Sequence, residues 1–333
     1  MFVALMLVLL AGGMNGSFAV PMKRVRGWQW EHTWFAWSLI GMLVIPVMVA
    51  VATVPHLGAV YRTAGLRALA LTAFYGMIWG AGTALFGRGI ARVGLALSFG
   101  IVLGISSSLG TIIPLVMLHR DQLFTTTSML VLTGVGVIVA GVAASARAGL
   151  LRETDTGRES GEGSFIVGLG TCLLSGLGSS SMSLALNVST PISKAAETLG
   201  TPQALSLNAV WPVLLGGGLA VNAVYCSILL IRRGNGARFG EALVPNLGLV
   251  MAMALLWSGS NFVYGAGARK MGPLGLVFGW PIFMAVIVLT ANAWGILTGE
   301  WRSAGRRTMT WAVAGFLLLV AGIWIIASAG NVS

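Results

Sequence analysis

The sequence predicts an all-α integral membrane protein whose ten transmembrane helices form two inverted-topology repeats of five helices each. Of its 333 residues, 56% are hydrophobic and only 9% are charged, and the mean hydropathy is +0.89. A soluble domain does not bury that much apolar surface. The second observation is an internal duplication, because the segment that begins at Trp79 recurs at Trp257.

The duplicated segment reads WGAGTALFGRGIARVGLALSFG in its first copy and WSGSNFVYGAGARKMGPLGLVFG in its second. Chance alignment in a chain rich in Gly and Leu is the alternative interpretation. The matched positions include aromatic and basic residues, which are uncommon in this chain and favour a true duplication. The clearest pairs are Trp79 and Trp257, Phe86 and Tyr264, Gly87 and Gly265, and Arg92 and Lys270.

Apolar runs of about 18 to 25 residues are long enough to span a bilayer. Ten are predicted, at 2–21, 34–54, 69–86, 93–118, 126–146, 165–186, 205–231, 244–264, 274–297 and 309–329. The first has no basic residue before it, so we expect it to be retained and not cleaved as a signal peptide. The longest polar segment, 147–163, is interpreted as a flexible cytoplasmic linker between a first repeat at 1–146 and a second at 164–333.

The distribution of Lys and Arg predicts the orientation. The connections after odd-numbered spans carry fourteen of these residues, and those after even-numbered spans carry six. Odd connections are therefore expected in the cytoplasm, with both chain termini on the opposite side. Five spans repeated once enter the second copy from the other face, which is the arrangement of an inverted repeat with a central site.

No predicted span carries a charged residue near its middle. Cation channels and exporters of organic cations usually need a buried carboxylate, so this composition argues against both. The interior offers amides, hydroxyls and indoles, which suit a neutral polyhydroxylated solute because amides bond hydroxyls and flat rings stack on sugars. The candidate binding residues are Asn15, Thr83, Ser107, Asn187, Asn208, Asn261 and Asn292, with Trp79, Trp257 and Trp280 as stacking surfaces.

Each candidate also has a structural interpretation. Small polar residues in membrane helices often bond a neighbouring helix, and tryptophans often anchor a span at the membrane surface. The tryptophans at span ends are interpreted as such anchors: Trp28, Trp30, Trp34, Trp301 and Trp311.

Glu31 is the carboxylate with two competing hypotheses. It precedes the second span beside His32 and could carry a coupling proton near a cytoplasmic mouth. The alternative is a surface ion pair with Lys23, Arg24 or Arg26.

Other functions find little support. The net charge is +11, and the basic residues lie between apolar spans, where they suit contact with lipid headgroups. No strip of alternating basic and aromatic residues that would bind nucleic acid is present. Cys172 and Cys226 fall inside spans, so neither a disulfide framework nor a metal site is expected. No cofactor motif or set of catalytic residues is visible, so an enzyme is not predicted.

Several motifs resemble those of one transporter family. They are NGSFAVPMKRVRGWQWEHTW at 15–34, WGAG at 79–82, SMSLALN with KAAETLG between 181 and 200, GGGLAVN in the seventh span, and GEWRSAGRR at 299–307. Together they resemble the L-rhamnose/proton symporter family, a branch of the drug/metabolite transporter superfamily, over essentially the whole chain. This resemblance implies ten helices in an inverted repeat, both termini in the periplasm, and uptake of L-rhamnose or a related monosaccharide with a proton across a bacterial inner membrane.

Alternatives stay open at this point. Around Trp257 to Tyr264 and in the ninth span the chain departs from the family pattern. An uncoupled sugar facilitator, a drug/metabolite-type exporter of small polar or amphiphilic metabolites, and a membrane receptor or structural subunit remain as competing hypotheses.

Overall fold

The computed structural model describes residues 2–93, 95–155, 165–272, 274–299, 301–302 and 304–329. Within these residues the chain forms twelve α-helices. They are α1 Phe2–Ser17, α2 Trp30–Leu39, α3 Ile45–Thr53, α4 Leu57–Val93, α5 Leu95–Leu118, α6 Thr126–Asp155, α7 Phe165–Val188, α8 Thr190–Thr198, α9 Trp211–Arg233, α10 Leu243–Lys270, α11 Gly275–Leu297 and α12 Arg306–Ala329. A π-helical segment, Ile40–Val44, joins α2 to α3, and 3₁₀ segments occupy Pro21–Arg24, Arg120–Gln122, Gln203–Ala209 and Gly236–Gly240.

Ten stretches of the described chain are long and apolar enough to cross a membrane. They match the ten predicted spans in order, which confirms the predicted all-helical fold class. The second comprises α2, the π-helical segment and α3, and the sixth combines α7 with α8. The second begins at Trp30 and the third at Leu57, earlier than predicted.

Two local features explain these irregular spans. Pro46 lies in the first turn of α3 and has no N–H to donate to a preceding carbonyl, and the π-helical segment precedes it directly. In α4, Gly65 breaks the helix with a φ of 79°, a left-handed conformation that glycine adopts without a Cβ penalty. The predicted third span began just beyond this break.

The predicted linker is helical in its first part. Helix α6 continues to Asp155, so residues 147–155 extend the fifth span, and residues 156–163 lie outside the described residues. Ala, Leu, Arg and Glu dominate this extension and have high helix propensity. The Arg152 guanidinium also lies 5.1 Å from the centre of the Trp301 ring, which favours this end of α6.

The first helix of each half of the chain packs against helices of the other half. Helix α1 packs against α10 and α11, whereas α7 packs against α4 and α5. Helix α2 packs against α9, and α6 against α12.

Glycines allow the closest of these approaches. A Cβ on Gly76 would lie 2.0 Å from the carbonyl oxygen of Leu214, and one on Gly217 would lie 2.2 Å from that of Ala73. The backbones of α4 and α9 therefore touch directly, as small residues permit in membrane helices.

Candidate functional site

A cavity of about 390 Å³ lies among α1, α2, α4, α5, α7, α10 and α11. Its volume falls within the range of roughly 300–1,000 Å³ that is usual for small-molecule sites. We call it the central cavity. Its lining residues are Asn15, Phe18, Ala19, Met22, Trp30, Trp34, Trp37, Trp79, Thr83, Phe86, Val102, Leu103, Ser106, Ser179, Met182, Trp257, Asn261, Trp280, Phe283, Met284 and Ile287.

The central cavity reaches towards one end of the bundle. Its residues on α5, α7, α10 and α11 come from the middle of these helices. By contrast, α2 contributes its first turns, from Trp30, and the segment after α1 contributes Met22. The cavity therefore extends from the middle of the molecule to the end where α1 finishes and α2 begins.

Five indoles form a continuous series along this cavity. The rings of Trp30 and Trp34 stack at 5.2 Å between centroids, and those of Trp34 and Trp37 lie 4.5 Å apart. Trp37 meets Trp257 at 4.9 Å, and Trp257 stacks on Trp79 at 5.7 Å with 19° between the ring planes. We call this series, from Trp30 to Trp79, the tryptophan ladder.

The inner end of the ladder joins the two segments that resemble each other in sequence. Trp79 and Trp257 are the aligned first residues of these segments, one on α4 and one on α10, and their rings face each other. A Cβ on Gly218 would lie 2.6 Å from the Trp79 ring, so this glycine makes room for the indole. Both tryptophans are almost fully buried, with 6% and 5% of their surface exposed.

Neutral polar groups face the same space. The Asn15 amide donates from Nδ2 to Ser260 Oγ at 2.9 Å, and Asn261 donates from Nδ2 to the carbonyl of Trp257 at 3.0 Å. Among the described residues, neither amide oxygen has a hydrogen-bond donor. The hydroxyls of Ser106 and Ser179 line the cavity as well. The site thus presents acceptors and hydroxyls beside aromatic faces, and no charged side chain is among its described lining residues.

Asn222, on α9, holds two lining residues in place without lining the cavity itself. Its Oδ1 accepts a hydrogen bond from Trp34 Nε1 at 2.9 Å. Its Nδ2 donates to Thr83 Oγ1 at 3.2 Å and to the carbonyl of Gly218 at 2.9 Å. This amide fixes the rotation of an indole and a hydroxyl that belong to two different helices.

A second aromatic group lies along α10 and α11. Trp280 donates from Nε1 to the carbonyl of Ser106 at 3.0 Å, which explains its burial. Its ring contacts Tyr264 at 5.9 Å and Phe283 at 6.0 Å, and the Tyr264 hydroxyl donates to the carbonyl of Leu276 at 3.1 Å. Tyr264 lies about two turns beyond Trp257, in the direction away from the open end of the cavity.

Six of the ten predicted binding residues line the central cavity: Asn15, Trp79, Thr83, Trp257, Asn261 and Trp280. The structure places the other four elsewhere. Asn187 donates to the carbonyl of Ser183 at 2.9 Å, and Asn208 donates to Thr53 Oγ1 at 2.9 Å. Asn292 lies more than one turn beyond Ile287, the last α11 residue of the cavity. Ser107 is fully buried, and its neighbour Ser106 faces the cavity instead, because adjacent positions on a helix point about 100° apart.

The sequence interpretation missed the aromatic wall of α2. Trp30 and Trp34 were interpreted as surface anchors, yet both line the cavity with Trp37. Their spacing of i, i+4 and i+7 places them on one helix face, and this spacing was the available signal. Trp28 and Trp301 are also buried, whereas Trp311 is 41% exposed, as an anchor requires.

Glu31 forms an ion pair with a residue that sequence reasoning did not consider. Both of its carboxylate oxygens lie 3.0 Å from Nη1 of Arg233, and Asn235 donates from Nδ2 to Oε1 at 2.8 Å. The Glu31 side chain is 1% exposed, and that of Arg233 is 51% exposed. The hypothesis of a surface ion pair with Lys23, Arg24 or Arg26 is therefore wrong. The partner is Arg233, because packing of α2 against α9 brings the end of α9 next to this carboxylate.

A second ion pair lies at the opposite end of the bundle. Arg269, near the end of α10, pairs with Glu197 of α8, and their side chains are 17% and 28% exposed. Helix α8 also packs against α4 and the segment Gln203–Ala209. This end is therefore covered by packed helix, in contrast to the end where α2 begins.

Comparison with known proteins identifies relatives of similar length. An L-rhamnose-proton symporter of Cronobacter sakazakii (strain ATCC BAA-894) is 28% identical over 326 residues, which cover 96% of this chain and 94% of the relative. One from Citrobacter koseri (strain ATCC BAA-895 / CDC 4225-83 / SGSC4696) is 28% identical over 320 residues, 94% of this chain and 93% of the relative. One from Escherichia coli O1:K1 / APEC is 26% identical over 326 residues, with 96% and 95% coverage.

The family comparison covers nearly the whole chain. Residues 1–331 match the family described as L-rhamnose-proton symport protein (RhaT). A match of this extent agrees with the ten apolar helices and the neutral central cavity. The chain therefore belongs to the L-rhamnose-proton symport protein family, whose members are membrane transporters and not enzymes.

Proposed function

We propose that this protein takes up L-rhamnose, or a closely related neutral monosaccharide, together with a proton, through alternating access to the central cavity. One observation carries this proposal. The cavity lies within ten apolar helices and is lined by indoles, amides and hydroxyls, with no charged side chain among its described lining residues. The curated relatives are named as L-rhamnose-proton symporters, which supports the choice of substrate.

The chemistry of the cavity suits a sugar with one apolar side. The free amide oxygens of Asn15 and Asn261 accept hydrogen bonds from sugar hydroxyls, and the stacked indoles of Trp79 and Trp257 contact its C–H surface. On α11, Phe283, Met284 and Ile287 form an apolar wall. L-Rhamnose carries a methyl group where an ordinary hexose carries a hydroxymethyl group, and this wall suits that methyl group.

The helix packing supports an inverted repeat. Exchanging each span with the one five places later converts the contacts of α1 with α10 and α11 into those of α7 with α4 and α5. The pairs α2 with α9 and α6 with α12 exchange into themselves. A chain that crosses the membrane ten times brings span six back in the opposite sense to span one. The halves would then rock about the central cavity and expose it to each side in turn.

We place the protein in the bacterial inner membrane with both termini in the periplasm, because Lys and Arg concentrate in the odd-numbered connections. The end of the cavity near Trp30 would then face the cytoplasm. Single cysteines at the start of α12 and the end of α10, labelled in intact cells with a membrane-impermeant maleimide, test this orientation. Labelling at α10 and not at α12 is expected, and the reverse pattern would contradict it.

Glu31 is the proposed proton-coupling residue. Its buried carboxylate ties α2 to Arg233 at the end of α9, so protonation would weaken the pair and release one helix from the other. Glu31→Gln is expected to abolish accumulation driven by a pH gradient and to preserve counterflow exchange. Glu241→Gln is the matched control, because this exposed carboxylate lies 4.0 Å from Arg238 on the same side of the molecule. An unchanged gradient response in Glu31→Gln would remove this residue from the coupling step.

Uptake of radiolabelled L-rhamnose into proteoliposomes tests the function itself. Accumulation above equilibrium when the outside is acidic, and its loss with a protonophore, is the expected result. Equilibration without any response to the pH gradient would indicate an uncoupled facilitator. If the purified protein neither binds nor moves L-rhamnose or a panel of related monosaccharides, the proposal fails.

A further inference from the structure

The outer end of the tryptophan ladder lies away from the proposed central site. Trp30 is the first residue of α2, and two further indoles, Trp34 and Trp37, separate it from the stacked pair of Trp79 and Trp257. Met22 and Phe86 line the cavity together with Trp30. The cavity therefore has a centre, where Trp79 and Trp257 stack, and an outer part that is lined by Trp30, Met22 and Phe86.

We propose that this outer part is a second monosaccharide subsite, centred on Trp30, which holds the sugar between the central site and the end of the bundle. The inference rests on the proposed function and concerns a site of its own. Its ligand is a neutral pyranose, bound through its C–H surface and its hydroxyls.

Membrane anchoring does not explain these indoles. Trp324, on α12, is 71% exposed, as expected of a ring that faces lipid. Trp30 and Trp34 line the central cavity instead, and Trp34 directs its N–H into the protein, to Asn222. Since an interfacial tryptophan directs its polar edge towards water and headgroups, the orientation of Trp34 indicates a wall of the cavity.

Helix packing does not require the indoles either. Helix α9 occupies the place in the second half that α2 occupies in the first. In its first two turns Trp211, Leu214 and Leu215 are fully buried, and no described α9 residue lines the cavity. The same position is thus filled by ordinary core packing in one half and by three cavity-facing tryptophans in the other.

Two polar side chains, Tyr225 and Arg88, lie beside Trp30, next to the cavity and outside its lining. The Tyr225 ring meets Trp30 at 6.2 Å, and the Tyr225 hydroxyl accepts a hydrogen bond from Arg88 Nε at 3.2 Å. The Arg88 guanidinium lies over the Tyr225 ring, 5.3 Å from its centre, and Arg88 is an exposed residue. Trp30 thus offers an aromatic surface inside the cavity, and the phenol and guanidinium next to it are hydrogen-bonding groups within reach of a pyranose that extends past this ring.

Equilibrium dialysis of the purified protein with radiolabelled L-rhamnose tests the subsite by counting bound sugars. The wild type is expected to bind two equivalents, and Trp30→Leu one. Trp30→Phe keeps a ring and is expected to retain two, with the second weakened by roughly two- to ten-fold, as partial loss of an aromatic contact predicts. Trp324→Leu is the matched control on an exposed indole and should bind like the wild type.

Each other outcome has a defined meaning. One equivalent in the wild type, or two in Trp30→Leu, overturns the subsite and leaves the proposed function intact. Absence of binding in the wild type contradicts the proposed function itself. If Trp30→Leu does not fold, Phe86→Ala takes its place, because Phe86 lines the same outer part. Two equivalents of unchanged affinity in Phe86→Ala would then overturn the inference.

Discussion

The second and seventh spans of this transporter lie side by side and are built differently. Helix α2 packs against α10, helix α9 packs against α4, and the two also pack against each other. The start of α2 presents three indoles to the central cavity and a buried carboxylate to Arg233. The start of α9 is preceded by Asn208, which donates a neutral hydrogen bond to Thr53, and its first turns are solid core.

This difference shows that, among the described residues, the cavity reaches one end of the bundle only. Beside the start of α9, helix α8 packs over α4 and is joined to α10 by the pair of Glu197 and Arg269. Beside the start of α2, the cavity continues to Met22 and Trp30. In a carrier that alternates, the structure corresponds to the state in which the site is open at the end of the bundle where α2 begins. It is closed at the opposite end, where α9 begins.

The largest expected effect is a loss of stability when a glycine at a close helix contact is replaced, and it should differ between the two spans. Gly217→Ala should prevent α9 from approaching α4, because its Cβ would lie 2.2 Å from the carbonyl oxygen of Ala73. Gly41→Ala, in the second span, meets Ser258 Oγ first, at 3.3 Å. We expect a loss of about 1–3 kcal/mol or more for Gly217→Ala and well under that for Gly41→Ala. Thermal unfolding followed by size-exclusion chromatography measures both, and equal midpoints would refute the distinction.

Opening the closed end should have the next largest effect. Arg269→Gln removes a partly buried ion pair that holds α8, and charged hydrogen bonds contribute about 1.5–3 kcal/mol, so exposure of that end should rise roughly ten-fold or more. The measurement is the rate of maleimide labelling of Asn187→Cys, a position that is 8% exposed, with Cys172 and Cys226 replaced by Ser. Arg238→Gln, at the other end, is the control. A rate unaffected by Arg269→Gln would show that the pair does not close the molecule.

Replacing one buried indole in each span should separate binding from packing. Trp37→Leu removes a ring that lines the cavity and meets Trp257 at 4.9 Å, and should raise the Kd for sugar by roughly three- to ten-fold. Trp211→Leu removes a ring from the core, and should lower the free energy of unfolding with the Kd almost unchanged. Isothermal titration and thermal unfolding of both variants provide the comparison. A higher Kd for Trp211→Leu than for Trp37→Leu would reverse the assignment.

The smallest expected effect concerns the one amide of α9 that serves the site. Asn222→Ala leaves Trp34 Nε1 and Thr83 Oγ1 without their shared partner, and should raise the Kd about two- to five-fold, in line with about 0.5–1 kcal/mol for a hydrogen bond. Asn208→Ala is the matched control, because this amide bonds Thr53 away from the cavity. Similar Kd values for the two variants would contradict a positioning role for Asn222.

The features that depend on local sequence could be predicted. Ten spans follow from the length of apolar runs, and the pairing of Trp79 with Trp257 points to the centre of the cavity, where their rings stack. The phase of a helix is set by its neighbours, which is why Ser106 and not Ser107 faces the cavity. A tryptophan at the start of a span gives the same sequence pattern whether its ring faces lipid or a cavity. The interpretation of Trp30 and Trp34 as surface anchors was wrong for this reason.

Contacts between residues that are far apart in the chain could not be predicted from the sequence pattern. Glu31 and Arg233 are more than two hundred residues apart, and Glu31 has basic residues much closer in the chain. Only the packing of α2 against α9 shows which partner it takes. The same holds for Asn222, whose hydrogen bonds with Trp34 and Thr83 connect α9 to the second and third spans.

The packing of α1 makes its native contacts depend on helices far along the chain. Helix α1 packs against α10 and α11, and the amide of Asn15 donates to the hydroxyl of Ser260, which lies 245 residues further on. A chain truncated before α10 therefore lacks both helices against which α1 packs and the acceptor of the Asn15 amide. During synthesis, α1 can reach its native neighbours only once the eighth and ninth spans have been translated.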